Sequence, residues 1–258
     1  MKHSRKVSLA LLLTGLSVLP VLAQAQWFLQ ATGSYLAFAQ QNSDVDLGPD
    51  GSTPPMEILE NYSSNKMNTV IGYSLGLGYR TDLTKFDLGQ YVERNEISLN
   101  YQQNTALKIQ GAAMRADVQH IDNNYQYTID SNVALVEDRL YFRVPYSVKP
   151  FFIAGAGFAQ LSAHNFTSQG IAGSTSVFEN PYGDQSQTNF AFEAGLGLAA
   201  DLGKNVSLSI AYRYVDLGTI ETGPALYTSN SAATKQTLEG LNYHMQSNNV
   251  TLGLNLYF

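Results

Sequence analysis

No cysteine occurs among the 258 residues, which excludes disulfides, thiolate metal sites and a cysteine nucleophile. Charge is scarce as well. Asp, Glu, Lys and Arg make up 14% of the chain, against about 25% in an ordinary globular domain. Positive charge is the scarcer sign: setting aside Lys2, Arg5 and Lys6, the remaining 12 basic residues face 21 acids, a net charge of −9. A nucleic-acid partner requires the opposite, a basic stripe that neutralises phosphates. Beyond residue 25 no run approaches the ~18 apolar residues of a spanning helix. Aromatic and small residues are plentiful instead, with 16 Tyr, 12 Phe and 21 Gly, and their placement carries the fold.

Lys2, Arg5 and Lys6 precede an apolar run from Val7 to Ala23, and Ala23-Gln24-Ala25 forms a small-x-small cleavage site. Residues 1–25 therefore read as a secretory signal peptide. The mature chain is expected to begin at Gln26, outside the cytoplasm. An exported chain without a spanning helix is either soluble or a barrel.

Period-two alternation decides between them. Residues 69–79 set Ile71, Tyr73, Leu75, Leu77 and Tyr79 against Gly72, Ser74, Gly76 and Gly78. Residues 206–215 set Val206, Leu208, Ile210, Tyr212 and Tyr214 against Ser207, Ser209, Ala211 and Arg213. The last ladder places Val250, Leu252, Leu254, Leu256 and Phe258 on one face. Similar ladders run through 96–102 and 189–200. A polar face rich in glycine suits a solvated strand poorly. It suits the inside of a narrow barrel, where glycine leaves room for larger neighbours. Tyrosines towards the strand ends fit an aromatic girdle at the lipid–water interfaces. The pattern predicts an all-β, eight-stranded antiparallel transmembrane barrel of the outer-membrane type over 26–258, with strands at 27–40, 67–80, 95–104, 123–142, 150–162, 188–200, 206–216 and 245–258.

Two of these strands have an ambiguous register. Leu29 and Tyr35 share one face of the first, while Phe28, Leu36 and Phe38 share the other. In the fourth, Tyr125, Tyr127 and Ile129 share a face with Glu137 and Arg139 unless a bulge intervenes, and a bulge or a position near the rim is the expectation. Long polar connections at 41–66, 104–122, 163–187 and 217–244 form four candidate surface loops. The connections at 143–149 and 201–205 are short, and 81–94 is intermediate. The segment 104–122 fits no strand in this scheme.

The segment from Lys149 through Pro150-Phe151-Phe152 to Gly155-Ala156-Gly157-Phe158 resembles the "K-P-Y-V-G-A-G-x-G" strand of opacity-type surface proteins. So do Phe190 to Gly197 and Asn205 to Gly218, with the terminal Tyr257-Phe258. Over 149–258 the chain is thus similar to the opacity/surface-antigen family of eight-stranded outer-membrane barrels. The resemblance implies a monomer in the cell outer membrane, surrounded by lipid and lipopolysaccharide, with loops that meet a host-surface ligand. It also implies that the terminal aromatic Phe258 is an assembly signal read by the barrel-assembly machinery.

Glu96, Glu193 and Arg213 fall on inward faces, with Glu137, Asp138 and Arg139 as candidates to join them. Buried charges must pair, so these read as a salt bridge plug filling the lumen, and Arg213 is expected to pair with Glu193, nearly opposite it on the next strand, or with another inward carboxylate. The remaining histidines, His120, His164 and His244, lie in or beside predicted loops. Neither His164 nor His244 stands in a nucleophile–base pattern like that of lipid A deacylases, so no catalytic residue is assigned. Asp44, Asp46 and Asp50 lack EF-hand spacing, so no metal or cofactor site is assigned either. The expected role is a non-enzymatic structural or adhesin-like surface protein. The alternative is a small channel for ions or apolar solutes.

Overall fold

The computed structural model describes residues 26–39, 42–49, 57–64, 68–84, 91–115, 120–170, 176–180, 182–229 and 235–258. The expected signal peptide lies outside them. Along the described chain run β1 (Gln26–Phe38), β2 (Asn42–Pro49), β3 (Glu57–Ser64), β4 (Asn68–Asp82) and β5 (Val92–Asn104). Next come β6 (Leu107–Arg115), β7 (His120–Phe142), β8 (Val148–Gly170), β9 (Ser176–Asn180) and β10 (Gln185–Asp201). The last four are β11 (Val206–Glu221), β12 (Ala225–Ser229), β13 (Lys235–Leu238) and β14 (Asn242–Tyr257).

Eight of these strands pair antiparallel in a closed ring, in the order β1-β4-β5-β7-β8-β10-β11-β14 and back to β1. Stepping across partners from Leu29 leads through Leu77, Leu99, Val136, Ala156, Phe192, Asp216 and Gln246. The path re-enters β1 at Ala39, whose N–H donates to the Gln246 carbonyl, ten residues beyond its start. Eight strands with such a stagger tilt by about 40° and enclose a space that side chains can fill.

The outward faces carry an apolar band. Leu29, Leu75, Leu77, Leu99, Leu196, Ile210, Leu252 and Leu254 all point away from the lumen and are exposed. Tyrosines edge the band, and several reach past it to polar groups. Tyr73 donates to Gln103 at 2.8 Å, Tyr101 to Asn132 at 3.0 Å and Tyr212 to Asn248 at 2.7 Å. On the opposite edge Trp27 packs edge-on against Tyr79. Amphipathic rings settle at such interfaces.

Beyond the tyrosine edge the strands continue, and their polarity inverts. In β7 the outward side chains change from Leu140, Val136 and Ala134 to Asn132, Asp130, Thr128, Gln126 and Asn124. The inward ones change from Arg139 and Glu137 to Leu135, Val133, Ile129, Tyr127 and Tyr125, all buried. This settles both ambiguous registers. No bulge separates Ile129 from Arg139: the pairing of β5 and β8 with β7 is continuous there. Tyr125, Tyr127 and Ile129 do face inward with the charges, but above the membrane, where a wetted outer wall demands an apolar interior. In β1, Leu29 and Tyr35 face out, while Phe28, Leu36 and Phe38 are buried within.

The same inversion corrects the loop boundaries. Residues 163–170, 185–187, 217–221 and 242–244 are strand, because a strand above the bilayer shows no lipid-facing stripe. The segment 104–122 is mostly strand too. After a break at 105–106, β6 continues along the edge of β7 that β5 occupies below. On the far edge of β6, the connection after β1 adds the hairpin β2–β3. The two remaining long connections contribute a separate sheet, β13-β12-β9. The short connections and both ends of the barrel lie on the opposite rim, which in outer-membrane barrels faces the periplasm.

Candidate functional site

Arg94, Glu96, Glu137, Arg139, Glu193 and Arg213 are buried inside the ring. Three cations thus meet three carboxylates. Alternation brings them there: on β5 the pair is Arg94 and Glu96, on β7 Glu137 and Arg139, each two residues apart and so on one face.

The periplasmic group centres on Glu96, which is fully enclosed. Tyr141 and Tyr257 donate their hydroxyls to its two oxygens, each at 2.7 Å. Asn255 donates at 3.3 Å, and the Arg94 Nε lies 3.4 Å away. The Arg94 Nη1 also donates to both oxygens of Asp201, at 3.0 and 2.9 Å, and the guanidinium covers the Tyr141 ring at 4.0 Å. Lys149 pairs with Glu93 and lies 3.6 Å from Asp201 at the mouth.

The central group is a chain of alternating sign. Arg139 meets Glu137 at 2.8 Å, Glu137 meets Arg213 at 3.1 Å, and Arg213 meets Glu193 at 3.2 Å. Arg213 and Glu193 are diagonal rather than opposite, since Gly195 faces Arg213 across the ladder. A Cβ on Gly195 would press on the facing backbone of β11, 3.0 Å from the Arg213 Cα. Inward glycines elsewhere serve larger neighbours: a Cβ on Gly155 would fall 2.9 Å from the Glu193 Cγ, and one on Gly197 would run into the Phe151 ring.

The outer part of the lumen is apolar. Leu36, Phe38, Ile109, Val133, Leu161, Val215, Leu217, Ile220 and Met245 join one buried cluster with Tyr125, Tyr127, Phe166, Tyr182 and Tyr243. Its rings stack in succession. Centroids are 6.2 Å apart for Tyr125–Tyr127, 6.0 Å for Tyr127–Phe166 and 5.5 Å for Tyr127–Tyr243.

Asp138 does not join the interior. It points outward between the inward Glu137 and Arg139, and accepts a hydrogen bond from Asn95. Arg94 was missed because the strand was expected to begin at residue 95. Its shared face with Glu96 was the available signal. Tyr141 and Tyr257 gave none, since a tyrosine in these strands fits either face.

His164 and His244 sit on the outer wall. His164 Nε2 lies 3.0 Å from Asp130, and His244 Nε2 2.9 Å from Asp216. The Thr219 hydroxyl is 3.4 Å from His244 Nδ1, long for a hydroxyl hydrogen bond. His120 opens β7, Asp44 and Asp46 fall on β2, and Asp50 lies outside the described residues. Phe258 points outward at the periplasmic edge of the apolar band, and its N–H donates to the Trp27 carbonyl at 3.0 Å.

A closed ring with an apolar outer band and paired charges in its lumen is matched by a family model. The model for the outer membrane protein beta-barrel domain covers residues 8–258. The chain belongs to this family. Its place is therefore the outer membrane. An uncharacterized protein of Rickettsia conorii is 25% identical over 192 residues, 73% of this chain and 74% of its own. Among solved structures, Neisserial surface protein A aligns at 14% identity and a TM-score of 0.43, over 91% of this chain and 99% of that one. The outer membrane protein OprG of Pseudomonas aeruginosa aligns at 11% identity and a TM-score of 0.46, over 91% and 96%.

Proposed function

We propose that this outer-membrane barrel is a closed, non-enzymatic surface protein of the opacity/surface-antigen type, which anchors an adhesin-like outer wall in the membrane as a monomer. The observation that carries this reading is the packed aromatic stack across the outer lumen, above a chain of paired charges. A conducting path needs continuous wetted space, and here both layers are filled by side chains. The strands that rise beyond the tyrosine edge then supply the surface that meets a ligand. Refolded protein in planar bilayers tests the reading: no discrete single-channel openings are expected. Steady ohmic openings would replace it with the channel reading.

Phe258 takes the role of an assembly signal in this proposal. As an ordinary lipid contact it is worth about 1.5–3 kcal/mol. As a signal, its replacement by alanine lowers the folded, heat-modifiable yield in outer-membrane fractions far more than it lowers the stability of the barrel that does fold. Equal effects on both would leave only the lipid contact.

A further inference from the structure

Closing the barrel brings the two ends of the described chain together. β1 and β14 pair from Phe28↔Tyr257 to Phe38↔Ser247, and this seam shuts the ring. Tyr257 sits in the seam on the lumen side. Its backbone is fixed by its own hairpin: its N–H donates to the Asn205 carbonyl and the Asn205 amide donates to its carbonyl, both at 2.8 Å. The Ser207 hydroxyl on β11 lies 2.9 Å from the Tyr257 hydroxyl. β11 and β14 are neighbours in the sheet, so all three bonds form without closure of the ring.

The side chain reaches the other way. The Tyr257 ring lies 5.7 Å from that of Phe28 on β1, and the Arg80 guanidinium on β4 covers it at 5.1 Å. Its hydroxyl donates to Glu96 on β5 at 2.7 Å. Asn255, on the same face of β14, donates to the other Glu96 oxygen at 3.3 Å. Each of these partners belongs to a strand across the seam. In an open sheet, β7, β8, β10 and β11 separate β14 from β5. Five strand spacings of about 4.8 Å then hold Tyr257 roughly 24 Å from Glu96.

Tyr141 provides the contrast. It donates to the same carboxylate, also at 2.7 Å. It sits on β7, however, which pairs directly with β5, so its bond needs no closure. Two tyrosines thus hold one buried carboxylate, one from the neighbouring strand and one from across the seam.

We infer that Tyr257 is the latch of the barrel: its hydroxyl reaches Glu96 only when β14 meets β1, and the bond then holds the ring shut. Glu96 is the prepared catch, fixed by Tyr141 on β7 and Arg94 on β5 before the last strand arrives. Ser207 and Asn205 present the latch to it. Because the acceptor is ionised, the bond is stronger than one between neutral groups. The latch goes beyond the surface-protein reading and does not depend on the role of Phe258, which faces lipid beside it.

Folding and unfolding rates of the purified barrel in lipid vesicles test the inference. Trp27, the only tryptophan of the chain, accepts the Phe258 N–H at the seam, and its fluorescence reports opening there. An interaction made late in folding governs the unfolding rate, and one made early governs the folding rate. Tyr257→Phe is expected to speed unfolding about tenfold, as for the loss of one hydrogen bond to a charged group, and to leave folding within about twofold. Tyr141→Phe removes a bond of equal length to the same carboxylate, yet should slow folding and leave unfolding within about twofold. In a Glu96→Gln barrel the effect of Tyr257→Phe should fall below about threefold, because the acceptor is neutral. Should Tyr257→Phe give no folded barrel, Asn255→Ala takes its place, with faster unfolding expected again. Unfolding no faster in the seam variant than in Tyr141→Phe, or an effect undiminished by Glu96→Gln, overturns the inference. Such a failure leaves the surface-protein reading intact, since bilayer recordings decide that reading separately.

Discussion

Arg213 is the residue whose loss should be felt most. It alone joins Glu137 to Glu193, and both carboxylates are buried with it. Removing one partner of a buried pair costs about 3–5 kcal/mol, and here Glu193 is the charge left without water or a salt-bridge partner, while Glu137 keeps Arg139. Arg213→Ala is therefore expected to lower the urea midpoint of the refolded barrel by that measure. Arg213→Met combined with Glu193→Gln should recover most of the loss, since Glu137 keeps Arg139 and no charge is stranded. A midpoint unchanged by Arg213→Ala would mean that water reaches the central group and that the lumen is open. Glu96 is held differently, by two tyrosine hydroxyls as well as by Arg94, so its environment does not hang on a single cation.

At the scale of the strand, the ladders in β4, β10, β11 and β14 were legible because their alternation is clean within the membrane. Leu75 and Ser74 declare their faces without help. The fourth strand was misjudged for a physical reason. Alternation reports which face is apolar, but only the solvent outside says whether that face looks in or out. In β7 the solvent changes from lipid to water at about Asn132, so one face holds both Glu137 and Tyr127 with no irregularity in the backbone. Segment 104–122 was unreadable for the same reason, and the diagonal of Arg213 and Glu193 was hidden because sequence gives parity without register. The inversion predicts opposite tolerances on one outward face. Leu75→Arg, within the band, should cost about 2–4 kcal/mol. Thr128→Arg, beyond it, should cost close to nothing. Urea titration in lipid vesicles measures both, and similar costs would place Thr128 in lipid.

For the molecule as a whole, the arrangement of connections sets its orientation. Lys204 in the tight turn after β10 and Arg143 after β7 lie on the rim with the short connections, whereas Lys108 is exposed on the outer wall. Trypsin added to intact cells should spare the bonds after Arg143 and Lys204 until the outer membrane is permeabilised. Cleavage at either site in intact cells would invert the assignment. Protection of Lys108 in both conditions is also expected, because β6 is paired with β7 from Leu107 to Arg115.

The switch of polarity along each strand has a mechanical meaning. A barrel that was apolar outside along its full length could ride up or down in the bilayer at little cost. This one cannot. A two-residue fall would drag Asn132 and Asn248 into hydrocarbon, and a rise of the same size would lift the rings of Tyr73, Tyr101 and Tyr212 out of the interface. The chain thus behaves as a fixed gauge. In bilayers of unequal thickness the lipid around it must stretch or thin to fit, while the height of its outer wall above the surface stays constant.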